Sequence, residues 1–433
     1  MLTYGIDFGT SNTVVTVRDG TGSRLLDLGA GSVVPSLLYF EKDRRSSIGD
    51  EAVADYTEAL GRFRGQGNLY QHFRFFQALK LALKNPLFRG TTVFGTFFPA
   101  ESLAGLFLRE VKRRADRASG SVCSNAVLGR PVMLSEAGSG GKGDEQVLGR
   151  YRAACAYAGF SEVSFVPEPV AAAAGMSAGS SGGGNGIVLV FDFGGGTLDV
   201  AIARRSGSGQ AGTSMSILGT SGRDLGGYLL NEDVSRARII RHFGSGGKFR
   251  TMKGNYLDMP GWITDQVASF YALPLGDIAA TRKTVKDLVY DARPVDKPKL
   301  RGLLDFLDRN QTFSLFEAID GAKIRLSGEP ESSIDWNLPP HVAIRELLSR
   351  IEFEAIVAPR VAQARSVVES ALERAGVKAE NVDSVIRVGG SSRVPAFAAM
   401  LEGMFPGRVR EGDVFTSIAS GLLAAHDMGL SVR

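Results

Sequence analysis

The chain has 433 residues, 44% apolar and 22% charged, an ordinary globular composition with length enough for two or three domains. Cys123 and Cys155 stand far apart with no CxxC or histidine-rich partner, so they read as small buried hydrophobes and argue against a disulfide framework or a zinc site. The net charge of +4 is mild and its basic groups, as at 42–45 and 112–114, are scattered over solvated faces rather than clustered for nucleic acid, while no apolar run approaches the length of a membrane span, so a cytoplasmic protein with no nucleic-acid or membrane partner is expected.

Along the first forty residues, short β-branched runs at 3–8, 13–18, 24–28 and 33–40 alternate with turn residues, the last run following Gly29 and Gly31. This pattern predicts an antiparallel meander. From 102 to 118 the apolar positions Leu103, Leu106, Phe107 and Val111 recur at helical spacing, with Ser102 as the expected cap. A strand is expected at 125–129, a glycine- and serine-rich loop at 135–144, and a helix at 145–158. A second loop at 179–186 leads into a very apolar strand at 187–191.

There the sequence repeats its own opening. Ile187 to Ala203, reading IVLVFDFGGGTLDVAIA, echoes Tyr4 to Val17, reading YGIDFGTSNTVVTV, so one strand–turn–strand unit is used twice. Two similar lobes follow, each offering an acid and a glycine-rich turn to a cleft between them. Residues 1–185 are expected to form the first lobe, closed by 408–433, and 186–407 the second, with an inserted helical subdomain at about 228–345 that includes helices at 231–242 and 300–308. A strand at 383–388 leads into Gly389-Gly390-Ser391-Ser392-Arg393 and a helix, and a last helix is expected at 416–427.

In Asp7-Phe8-Gly9-Thr10-Ser11-Asn12 a strand ends in a carboxylate and a tight turn whose backbone N–H groups suit phosphate oxygens. The second copy, Asp192-Phe193-Gly194-Gly195-Gly196-Thr197-Leu198-Asp199, has three successive glycines, tolerated where another group approaches the backbone closely. Asp7 and Asp192, at corresponding strand ends on opposite walls, suit Mg²⁺ held through water. No Walker or GxGxxG motif competes with this reading.

The ordered motifs DFGTSNT, GRPV, PEPVAAAAG, FDFGGGTLDVAIA and VGGSSRVPAF resemble the nucleotide-site motifs of the DnaK-type, seventy-kilodalton heat-shock chaperones, and span nearly the whole chain. The resemblance implies an α/β actin-like ATPase fold with ATP or ADP and Mg²⁺ in its cleft. It carries Mg²⁺ coordination to Asp7 and Asp192, phosphate contacts to Thr10, Ser11 and Thr197, and the glutamate that orients water or couples lobe closure to Glu168. Asp199 matches the carboxylate beside the reaction centre, and Lys80 the lysine that grips the terminal phosphate, with Lys84 and Arg74 as alternative cations. On the adenosine side the resemblance covers Gly389, Gly390, Ser391 and Arg393 beneath the base, and the helix of Asp320, Lys323, Ile324 and Ser327 around ribose and ring. The chaperones place an arginine where Ile324 stands.

The sequence after the last helix shows no hydrophobic linker and no peptide-binding β-sandwich, so the chain resembles the short YegD-like branch, and holding of extended client peptides is not expected. The expected function is a slowly hydrolysing, chaperone-like ATPase switch acting through a protein partner or co-chaperone. The alternatives are a small-molecule kinase with Asp199 as base, and an actin-like filament protein; fold alone does not choose among them.

Overall fold

A computed structural model describes every residue except 1, 20–21, 30, 43–44, 135–141, 180–184, 207–213, 252, 270–275, 277, 413–416 and 433. Most of the two expected glycine-rich loops, at 135–144 and 179–186, lies outside the described residues, as does residue 416 of the last helix.

Two sheets organise the chain. The first has six strands, with Glu162–Pro167, Asn125–Arg130, Thr3–Phe8, Asn12–Asp19 and Gly22–Leu25 in spatial order and Val33–Pro35 also paired to Asn12–Asp19. The second has five, ordered Ser214–Arg223, Leu198–Ser206, Gly186–Phe193, Ser384–Val388 and Val409–Glu411. In each, an antiparallel hairpin is flanked on its first strand by a parallel neighbour. Strands so placed are covered on both faces and read as near-continuous apolar runs, as in Ile187 to Phe191.

The helix Ala100–Ser119 packs Leu103, Phe107 and Val111 beneath the first sheet, in one core with Tyr4, Ile6 and Phe8. Its N-cap is Pro99 rather than Ser102, because the helix begins one turn's fraction earlier and leaves Ser102 inside it. The expected strand at 33–40 is two strands in different sheets: Val33–Pro35 pairs with Asn12–Asp19, and Leu38–Glu41 with Ser46–Ile48 and Phe73–Phe76. The break falls after Pro35, where Leu37 N–H closes a tight turn onto Pro35 O at 2.8 Å. The expected strand at 24–28 is Gly22–Leu25.

The Glu168–Gly179 helix lies against Ser417–Asp427 so closely that a Cβ on Gly421 would stand 1.7 Å from Ala171 O. The alanine run of the PEPVAAAAG segment is therefore a contact surface for a second helix. Ser417–Asp427 also packs on Thr3–Phe8.

Between 228 and 345 the helices are joined by sheet that the apolar periodicity did not reveal. The expected helix at 231–242 is Gly227–Val234 continued by a π turn, Ser235–Ile239, and a 3-10 turn, Ile240–Phe243. Lys248–Arg250 pairs with Tyr256–Asp258, and Glu331–Leu338 with Val342–Ser349. A long helix, Arg350–Ala375, begins at a reciprocal cap between Ser349 and Glu352.

Candidate functional site

The duplicated hairpins end in the same turn. Gly9 N–H donates to Asn12 O at 2.9 Å, and Gly194 N–H to Thr197 O at 3.0 Å. The two turns mesh: a Cβ on Gly195 would lie 2.3 Å from Ser11 Oγ, and one on Gly196 2.4 Å from Thr10 Oγ1. Glycine is required at both places because hydroxyl side chains of the opposite turn fill that space.

Neighbours fix this geometry through the carbonyls. Gly194 O accepts from Gly227 N–H at 3.1 Å and from Ser391 Oγ at 2.8 Å, while Gly195 O accepts from Tyr228 N–H at 2.9 Å. Gly9 O accepts from Ser36 Oγ at 2.8 Å. The N–H groups of Thr10, Ser11, Gly195 and Gly196 are accepted by no backbone carbonyl among the described residues. Such clustered donors form a concavity for anionic oxygens.

Behind the turns lies a group of acids with Lys80 among them. Lys80, 2% exposed, is ion-paired to Glu168, itself buried. Burial and the Glu168 charge, opposed by Lys80, raise the Asp7 carboxyl to about 7. Burial, with the charges of Glu168, Asp199 and Asp7, holds Asp192 well above the usual carboxylate range. Burial and Glu168 raise Asp199 to about 6. Asp192 and Asp199 are direct cross-strand partners, so their side chains share one face of the sheet. Burial works to lower the Lys80 ammonium, but Glu168, Tyr151 and Asp7 outweigh it and raise it.

A site this rich in disfavoured negative charge suits a cation. No group of three or more candidate metal ligands occurs among the described residues; Asp7 and Asp192 are two carboxylates lining the cleft, donors suited to an ion that keeps its own water shell. Mg²⁺ keeps several waters and matches that arrangement.

Asp7, Gly9, Thr10, Ser11, Asn12, Lys80, Glu168, Asp192, Gly194, Gly195, Gly196 and Thr197 line a cleft of about 500 Å³, and Asp320, Lys323, Ile324, Gly389, Gly390 and Ser391 line it with them. Lys323 is ion-paired to Asp320, which also accepts from Asn231 Nδ2 at 2.7 Å. Ile324 is 62% exposed. Gly389, with φ of 80°, lies under Phe193 O, which a Cβ would approach to 2.4 Å.

Three expected site residues stand off the cleft surface. Asp199 is 1% exposed, with Oδ1 accepting from Val132 N–H at 2.7 Å. Ser327 turns its hydroxyl back onto Lys323 O at 3.4 Å, in its own helix. Arg393 points outward and pairs with Glu411 at 2.7 Å. Of the alternative cations, Lys84 pairs with Asp224, and Arg74 donates to Thr92 O at 2.7 Å and lies over the rings of Tyr70 and Phe76. Neither lines the cleft.

The sequence reading did not single out Tyr228 and Phe316, which line the cleft with their rings stacked 5.1 Å apart. Their apolar positions were visible, but a separation of 88 positions along the chain gave no sign that the rings meet. Gln77 was missed as well.

The family model for the Hsp70 protein matches residues 3–245 and 302–414. The chain belongs to the Hsp70 family. That family has the actin-like ATPase fold, in keeping with the two hairpin-bearing sheets around the cleft. Relatives include the chaperone protein DnaK of Thermus thermophilus, 24% identical over 98% of this chain and 61% of its own length. DnaK of Elusimicrobium minutum is 25% identical over 96% of this chain and 56% of its own. The chaperone protein HscA homolog of Azotobacter vinelandii is 26% identical over 91% and 52%. This Hsp70-family chain thus spans between half and two thirds of the length of these relatives. Residues 246–301 fall outside the family match. Among the described residues, no helix is long and apolar enough to cross a membrane.

Proposed function

We propose that this Hsp70-family chain binds Mg-ATP in the cleft, hydrolyses it slowly, and acts as a chaperone-like cytoplasmic switch whose lobes close and open with nucleotide state to signal to a protein partner. The observation that carries this reading is the pair of meshed turns, whose free N–H groups from both hairpins converge beside a cluster of buried acids. Thr10, Ser11, Gly195, Gly196 and Thr197 bind the phosphate oxygens, and Asp7 and Asp192 hold the water shell of Mg²⁺. When bound, Mg²⁺ supplies positive charge to the phosphoryl oxygens as they become more anionic. Lys80 adds a fixed cation at the same end, and Glu168 orients the Lys80 ammonium and the attacking water. Asp199 acts from behind Asp192 by charge and positioning. Asp320, Lys323 and Ile324, with Gly389, Gly390 and Ser391, hold the nucleoside against the Tyr228–Phe316 stack, and Ser327 and Arg393 support that wall from outside it.

The moving bodies are taken as 1–185 with 408–433, and 186–407 with its insertion at about 228–345, except that Val409–Glu411, paired to Ser384–Val388 in the second sheet, goes with the second body. The packing of Ser417–Asp427 on Thr3–Phe8 supports the first grouping. The names of the relatives, chaperone proteins, favour a partner-directed role over a kinase. A kinase would also need an accessible base, whereas Asp199 is buried. The test is thermal unfolding with millimolar Mg-ATP and Mg-ADP: binding raises the midpoint by mass action, and no shift with either nucleotide refutes the reading. A pull-down with and without ATP then identifies the partner.

A further inference from the structure

Gln77 is 2% exposed, lines the cleft, and stands four residues before Leu81, which packs against the Gly196 turn; it has no assigned role. Neither its amide nitrogen nor its amide oxygen has a hydrogen-bond partner among the described residues. A buried carboxamide with both halves unsatisfied destabilises a fold, and such groups persist where something outside the resting protein uses them. Because both atoms lack partners, the point does not depend on which way round the amide is placed.

The backbone holds the residue in place at some strain. Gln77 follows the Phe73–Phe76 strand and precedes Ala78, a buried alanine in the left-handed region with φ of 56°, from which the helix Leu79–Lys84 starts. Non-glycine residues rarely adopt that conformation, and strain of this kind is concentrated at functional sites. Gln77 and Lys80, on either side of this kink, both line the cleft.

We propose that Gln77 is a catalytic residue for hydrolysis: its amide N–H donates to an oxygen of the terminal phosphoryl group while its carbonyl accepts from the attacking water. A carboxamide suits this double role because it donates and accepts at once, unlike Lys80 or Glu168. A glutamine that orients water is an established solution in phosphoryl transfer. The water oxygen bonds to the terminal phosphorus, the bond from phosphorus to the bridging oxygen breaks with its electron pair leaving on ADP, and the proton lost by water ends on the phosphate product or in solvent. The assignment rests on the proposed nucleotide reading of this cleft.

The test compares the full chain with Gln77→Leu and the more flexible isostere Gln77→Met in three measurements: unfolding without nucleotide, affinity for Mg-ATP and Mg-ADP, and single-turnover hydrolysis. Both variants are expected to unfold at or above the parent's midpoint, since an unsatisfied amide is replaced by apolar atoms. Mg-ADP affinity should stay within about twofold, and hydrolysis should fall about 10²-fold, the usual loss for one preorganised donor. Should the parent bind ATP without turning it over, the ratio of ATP to ADP affinity carries the test, and an unchanged ratio in the variants overturns the proposal. Variants that unfold well below the parent, or that hydrolyse ATP at the parent's rate, make Gln77 an ordinary core residue and overturn it while leaving the nucleotide reading intact. A parent with no affinity for either nucleotide removes the nucleotide reading, and this assignment with it.

Discussion

Lys80→Met tests the centre of the site through stability as well as rate. Lys80 and Glu168 are buried, with side chains 2% and 6% accessible, and Asp7 and Asp192 stand close enough for their charges to be felt. Removing the cation leaves Glu168 buried and uncompensated beside other acids, and breaking a buried pair from one side costs about 3–5 kcal/mol. Removing both charges together, as Lys80→Met with Glu168→Gln, should cost less than about 2 kcal/mol, because no buried ion is then left unpaired. The assay is urea unfolding without nucleotide for the parent, both single variants and the double variant. The two single costs are expected to exceed the double cost, and millimolar Mg²⁺ should restore part of the loss in Lys80→Met by supplying counter-charge to the acids. In the same protein, single-turnover hydrolysis should fall by about 10² to 10³, or roughly 3–4 kcal/mol. Costs that add, or a Lys80→Met protein as stable as the parent, would refute the argument that this pair is energetically coupled.

Asp7 and Asp199 hold folded-state values of about 7 and 6, above the ordinary carboxyl value, so the folded protein keeps protons that the unfolded chain gives up. Their contribution to stability is present at low pH and is lost as pH rises toward 7, so without Mg²⁺ stability should decline over that window; a flat profile there speaks against it. On the proposed Mg²⁺ reading, protons and the ion compete for the same carboxylates, so the rise in melting temperature given by Mg²⁺ should grow between pH 6 and 8, measured by thermal shift. Asp192→Asn should leave the apo protein as stable as the parent or more so and remove most of the Mg²⁺ effect; an apo protein that melts much lower would show the carboxylate to be structural. Gly421→Ala should destabilise by more than about 2 kcal/mol in urea, since its Cβ would meet the Ala171 carbonyl at 1.7 Å and two helices must part to admit it. An unchanged midpoint would mean that this helix pair is loosely packed.

The parts legible in sequence were those set by neighbouring residues. Asp7 to Asn12 and Asp192 to Thr197 announced the same turn because the acid, the glycine and the closing hydrogen bond all lie within six residues. Pro35 hid a change of sheet inside what read as one strand, since the apolar run continues through it and strand pairing is not encoded in periodicity. The capping pair Ser349 and Glu352 was a readable start signal for Arg350–Ala375 that the apolar pattern around it did not draw attention to. Arg393 and Ser327 were placed by motif alone, and the partners that turn them away, Glu411 and the Lys323 carbonyl, become visible only when the chain is folded. The unpartnered amide of Gln77 has no counterpart in any sequence signal, because lack of a partner is a property of packing.

The two copies of the hairpin differ in opposite senses. One carries hydroxyl side chains at Thr10 and Ser11 and the other bare glycines at Gly195 and Gly196, so that protrusions on one wall fit hollows in its duplicate. A chain built from two equal halves has in this way become handed, like a key and its lock cut from the same blank. Neither half can now be replaced by a second copy of the other: two copies of the first turn would collide, and two of the second would leave a gap where the floor of the cleft should be.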